Sequence, residues 1–153
     1  TVSENIQLAT NTIQKNWFNF FKVSNTQDYI LKKIDFCLSQ VGLVKAINQP
    51  VANLSHGDCR KLEIAMALAS DAQLLLLDEP MAGLGPTETK EMIALLNKLK
   101  GQQTILLIEH DMDAVFALAD RISVLVSGEI IATGEPDKIR RDSAVQSAYL
   151  GEM

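Results

Sequence analysis

The spacing of apolar residues changes character near residue 50. Before it, apolar positions recur every three or four residues. Ile6, Ala9, Ile13, Trp17 and Phe20 mark one face of a helix over residues 1 to about 22, and Thr1 and Glu4 have capping-box spacing. Tyr29, Leu31, Ile34, Leu38 and Val41 supply much of the face of a second helix, which starts after Asn25 or Thr26 and stops at Gly42. Asn48, Gln49 and Pro50 break the pattern and read as a connector. Residues 1–54 are expected to form a small helical subdomain of two helices packed on each other, with no chemistry assigned to it.

From Leu54 onward, short aliphatic runs alternate with helical patterns. Residues 56–69 read as a helix with Leu62, Ala65, Met66 and Ala69 on one side. Leu74 to Leu77 is an unbroken aliphatic run, which suits a strand buried on both faces. Pro86 opens another helix where a missing N–H costs nothing, with Glu88 and Glu91 near its positive end and Gly101 closing it. Thr104 to Ile108 is a second buried strand, and Asp111 can cap a short helix to about Ala119. Ile122–Val126 and Glu129–Ala132, joined by Ser127-Gly128, read as a hairpin, and the tail from Pro136 to Leu150 as helical. Residues 55–153 are thus an α/β region in which at least the first two strands run parallel.

Composition adds bounds. The 153 residues suit one domain or part of a larger one, and 47% hydrophobic with 22% charged is a globular balance. Aromatics are only 5%, so the core is aliphatic. Fourteen Lys and Arg against 19 Asp and Glu give a net charge of −5 with no basic block, which argues against nucleic acid or an anionic membrane as partner. No apolar run approaches the roughly 18 residues that a membrane span requires. Cys37 and Cys59 are far apart and read as free thiols of a reducing compartment.

Three places carry candidate chemistry. The aliphatic run ends in Asp78-Glu79-Pro80, at the strand end where ligands of open α/β sheets sit. Asp78 there can hold Mg²⁺ through water, and Glu79 can orient or deprotonate a water attacking a γ-phosphate. The plain alternative is a capped strand end with solvated acids. Leu54-Ser55-His56-Gly57-Asp58 directly precedes a helix, so Ser55 either caps that helix or meets a phosphate at its positive end. His110 follows the second strand, as a hydrogen-bond donor to phosphate or as a buried, satisfied histidine.

In order and spacing these three sites resemble the ATP-binding subunit of ABC transporters. Leu54 to Asp58 resembles the signature motif, usually LSGGQ, and Leu74 to Glu79 resembles Walker B with the catalytic glutamate. Ala82-Gly83-Leu84-Gly85-Pro86 falls at the D-loop, and His110 at the switch histidine. Thr1 to Asn5 resembles the start of the family's helical subdomain. Leu62-Glu63-Ile64-Ala65, Glu109-His110-Asp111-Met112 and Ala148-Tyr149-Leu150-Gly151 are similar to branched-chain amino acid importers and, less specifically, to urea importers.

The resemblance implies a partial P-loop NTPase core with parallel strands plus a small helical subdomain. It implies ATP and Mg²⁺ as cofactors, with Asp78 on the metal through water and Glu79 and His110 catalytic. Leu54, Ser55, His56, Gly57 and Asp58 would bind the ATP of an opposing subunit, with Gly83 and Gly85 in the D-loop. The implied partners are a second ATP-binding subunit (identical or not), membrane permease subunits and, indirectly, a solute-binding protein. The implied place is the cytoplasmic face of a bacterial inner membrane.

Departures from the pattern carry expectations of their own. None of the eight glycines begins a GxxxxGK[ST] loop, so the 153 residues are expected to be the carboxyl-terminal part of a longer domain whose start lies upstream of Thr1. Alone, they should not bind nucleotide tightly in cis, and a strand with an unpaired edge should invite aggregation. His56 replaces the usual glycine, Asp58 the usual glutamine and Gly85 a frequent aspartate. Asp58 is expected to point away from the phosphate, and Cys59 beside the signature is a weaker candidate for oxidation. A soluble ABC ATPase without a transport role, and a non-catalytic remnant, are the alternatives to the importer reading.

Overall fold

The computed structural model describes residues 1–11 and 23–150, which fall into two compact units, Thr1–Ile108 and Glu109–Met153. The first unit contains helices α1 (Val2–Asn11), α2 (Val23–Val41) and α3 (His56–Ala69), strand β1 (Leu74–Asp78), helix α4 (Pro86–Lys100) and strand β2 (Thr104–Ile108). The remainder of the first expected helix, with Ile13, Trp17 and Phe20, lies outside the described residues. The helical segment expected over residues 1–54 lies wholly within this unit.

Local devices set the helix ends. Gly42 takes φ +78° after α2, and the buried Leu43 donates its N–H back to the Leu38 carbonyl at 2.9 Å. A left-handed residue is what closes a helix in this way, and glycine adopts it without steric penalty. The connector then closes the start of α1, where Val2 and Ser3 donate to the carbonyls of Gln49 and Ile47, each at 3.0 Å. Helices α1, α2 and α3 pack on one another and bury Val2, Ile6, Ile34, Cys37, Leu38, Leu62, Ala65 and Ala69. Burial pushes the Cys37 thiol above its ordinary pKa. An ion pair between Lys33 and Asp71 ties α2 to the turn after α3.

Strands β1 and β2 pair in parallel, Leu74 opposite Thr104 through Asp78 opposite Ile108. Here the structure corrects the expectation of strands buried on both faces. Leu75 is buried and Leu77, Ile105 and Leu107 are half-buried, but Leu74, Leu76, Leu106 and Ile108 are 49%, 68%, 56% and 59% exposed. The register puts these four on one face, because alternate residues of a strand point to opposite sides. The described residues of the unit cover one face of an aliphatic ribbon and leave the other bare.

The second unit holds α5 (Met112–Leu118), the antiparallel hairpin β3 (Ile122–Val126) and β4 (Glu129–Gly134), and α6 (Pro136–Arg140). Ser127 and Gly128 turn the hairpin at φ +50° and +86°, the conformation that matches the twist of two-residue hairpins. Ile122, Val124, Ile139 and Val145 form the core, with Val115, Phe116, Ala119, Val126 and Ala132 packed against it. The tail is not one helix. It breaks at Arg141, and Asp142 caps a new turn, Ser143–Val145, by accepting from the N–H groups of Ala144 and Val145. Side-chain capping gave the backbone a second start there.

Candidate functional site

The acid pair stands where β1 ends. Asp78 is its last residue, and both Asp78 and Glu79 are exposed. The Glu79 N–H continues the pairing by donating to the Ile108 carbonyl at 2.9 Å. Glu79 then turns sharply at φ +46°, a left-handed conformation that costs a residue with a Cβ. Such strain persists where the surroundings over-determine it, and it concentrates at functional sites. The turn is held by Ala82 N–H donating to the Glu79 carbonyl at 3.0 Å and Leu84 N–H to the Met81 carbonyl at 3.1 Å. Pro80 and Met81 are buried beneath it.

The second turn opens α3. Ser55 is its N-cap, with Oγ accepting from Asp58 N–H at 3.1 Å and the Ser55 carbonyl accepting from Cys59 N–H at 2.9 Å. The N–H groups of His56 and Gly57 belong to the first turn, where a helix has no carbonyl of its own to offer them. Ser55 and His56 are exposed, Leu54 is half-buried and Gly57 is buried. Capping leaves the Ser55 hydroxyl hydrogen free to donate, so the cap and the phosphate roles are compatible. The Asp58 carboxylate meets Lys61 one turn on, at 3.4 Å.

Both turns lie in the first unit, and the structure brings them together. His56 Nε2 is 3.2 Å from the Ala82 carbonyl oxygen. The Glu88 carboxylate accepts from Gly85 N–H at 3.1 Å, and its other oxygen fills the space beside Gly57, 2.8 Å from where a Cβ would stand. Lys61 reaches Glu91 of α4 at 2.7 Å as well as Asp58. Burial works against the Lys61 ammonium, but the Glu91 and Asp58 carboxylates hold its pKa above the ordinary lysine value. Gly83 and Gly85 flank this junction, Gly83 at φ +76°.

His110 belongs to the second unit, exposed, with its N–H donating to the Glu109 carboxylate at 3.2 Å. Asp111 caps α5 as expected, accepting from Asp113 and Ala114 N–H.

The arrangement fits the cofactors the motifs imply. Among the described residues no three His, Cys, Asp or Glu gather as a metal cage. A single carboxylate such as Asp78 at a strand end suits Mg²⁺, which takes most of its oxygens from water and phosphate. The first turn of the 14-residue helix α3, with Ser55 at its mouth, suits a phosphate oxygen. Sequence reasoning missed Lys61 and the contacts of Glu88 and Glu91 across to α3. Glu88 and Glu91 carried a local signal, their place near the start of α4, but Lys61 carried none, and nothing local pointed to α3.

The chain is similar to known proteins over much of its length. The family model "ABC transporter" matches residues 1–82, and "Branched-chain amino acid ATP-binding cassette transporter" matches residues 129–153. The chain is 46% identical over 117 residues to the high-affinity branched-chain amino acid transport ATP-binding protein LivG of Escherichia coli K12, covering 75% of this chain and 46% of LivG. It is 43% identical to BraF of Pseudomonas aeruginosa, a protein of the same description, over the same shares. The chain thus spans about half the length of the curated relatives it matches. Among solved structures, the ADP conformation of MJ1267, an ATP-binding cassette of an ABC transporter, gives a TM-score of 0.79 at 26% identity, over 99% of this chain and 63% of that one. The parallel pair β1–β2 and the helices before it are consistent with a partial P-loop NTPase fold. With more than half of its residues matched by one family model, the chain belongs to the ABC transporter family, among its ATP-binding cassettes.

Proposed function

We propose that the chain carries the signature turn, the acid pair and the switch histidine of an ATP-hydrolysing importer subunit for branched-chain amino acids. The observation that supports this most is the end of β1, where Asp78 and a left-handed Glu79 stand exposed beside the turn that opens α3. The names of the relatives at 46% and 43% identity favour the substrate class.

In this reading Asp78 holds Mg²⁺ through water, and the ion, when bound, offsets the charge of the phosphates. Glu79 orients a water toward the terminal phosphorus and takes its proton as the bond to the ADP oxygen breaks. His110 donates a hydrogen bond to a terminal phosphate oxygen. Ser55 and the first N–H groups of α3 reach the terminal phosphate of ATP held by a second ATP-binding subunit, so that only the triphosphate joins the two. Gly83 and Gly85 lie in the D-loop that lines the same junction. The cycle would drive permease subunits supplied by a solute-binding protein, with the cassette on the cytoplasmic face of the inner membrane. Among the described residues no helix is long and apolar enough to cross a membrane.

The test is Glu79→Gln in the complete subunit. Turnover is expected to fall about 100-fold or more, the usual contribution of a positioned general base, while ATP still binds. Turnover within about threefold of the parent would overturn the assignment.

A further inference from the structure

The proposed base does not hold its own position. Glu79 sits at φ +46°, which an L-residue keeps only if something holds the turn. The Ala82 residue is engaged from two sides. Its N–H donates to the Glu79 carbonyl at 3.0 Å, and its carbonyl faces His56 Nε2 at 3.2 Å. The next residue, Gly83, is left-handed at φ +76°, and a Cβ there would stand 3.2 Å from the same His56 nitrogen. Glycine is therefore what lets the ring lie against the turn. Glu88 beside Gly57, and Lys61 on Glu91, tie α3 at two further points to α4, the helix that follows this turn.

We infer that His56 is a positioning residue for Glu79, acting through the Ala82 carbonyl, so that the first turn of α3 and the turn carrying the base move as one piece. This rests on the proposed ATPase reading and adds a consequence to it. A phosphate of the partner's nucleotide, when it meets the first turn of α3, fixes Glu79 for the nucleotide of its own subunit. His56 is thereby a point at which one ATP site is felt at the other. The link is made within a single subunit, so its effect on the base does not need His56 to touch nucleotide.

Three variants of the complete subunit test this: His56→Phe, which keeps the ring but not the hydrogen bond, His56→Gln, which restores a donor, and Glu79→Gln. His56→Phe is expected to lower kcat about tenfold with the KM for ATP unchanged within about twofold, the signature of an interaction used in the chemical step. His56→Gln is expected to recover to within about threefold of the parent. Amide hydrogen exchange at Ala82, an activity-independent readout, is expected to be several-fold faster in His56→Phe than in the parent or His56→Gln. A kcat for His56→Phe within about twofold of the parent, or a glutamine no better than phenylalanine, would overturn the inference. If Glu79→Gln abolishes turnover while His56→Phe keeps kcat within about twofold of the parent, His56 alone loses its role. If Glu79→Gln turns over normally, the ATPase reading itself falls.

Discussion

In the β3–β4 hairpin, buried and exposed positions follow the sequence at the end away from the turn, while Leu125, Ile130 and Ile131 nearer the turn are exposed. Ile122 and Val124 point into the core, while Ser123 faces outward and meets Thr133 across the strands, Oγ to Oγ1 at 3.0 Å. In the β1–β2 pair the same alternation of burial falls on residues that are nearly all aliphatic. Leu74, Leu76, Leu106 and Ile108 stand where the hairpin has Ser123 and Thr133. Antiparallel sheets commonly face water on one side, whereas parallel strands are ordinarily covered on both. The hairpin is furnished for water at its Ser123–Thr133 pair, though not at Leu125 and Ile130. The parallel pair is furnished for a second layer that the described residues do not provide, and it carries the acid pair at its end.

Substitutions on the two sheets sharpen this contrast. Leu75→Ala, on the covered face of β1, is expected to cost about 2–5 kcal/mol in urea unfolding of the chain, as for other buried leucines. Leu76→Thr, one residue along, is expected to change stability by no more than about 0.5 kcal/mol. Equal losses at Leu75 and Leu76 would mean that the outer face is covered in solution and that the two sheets do not differ in this respect. An effect between these two is expected in the hairpin. Gly128→Ala forces a Cβ into φ +86° and should cost about 1–2 kcal/mol, read as a lowered midpoint in the same unfolding experiment. No loss there would show that the turn relaxes to another type.

Much of the fold was legible because its signals are local. Gly42 closes α2, Pro86 and Gly101 bracket α4, Asp111 caps α5, and Ser127-Gly128 turns the hairpin, each by a conformation or a cap that a neighbour or two decides. Asp142, a cap of the same kind, interrupts a stretch whose pattern predicts unbroken helix. The bare face of β1–β2 was not legible, since an aliphatic run states what a strand needs and not what is present to cover it. In the site, Asp78 and Glu79 at the strand end and Ser55 at the helix start stand where spacing put them. The contacts that join the two turns were hidden. His56 and Ala82 are 26 residues apart, Lys61 and Glu91 are 30, and no periodicity links them.

We propose that the turn opening α3 and the acids closing β1 belong to ATP sites completed by a second subunit. Sedimentation of the complete Glu79→Gln subunit tests it most directly. A dimer is expected in ATP that falls to monomer in ADP, and a weaker dimer when Ser55→Ala is added. A Glu79→Gln subunit that stays monomeric in both nucleotides would contradict it.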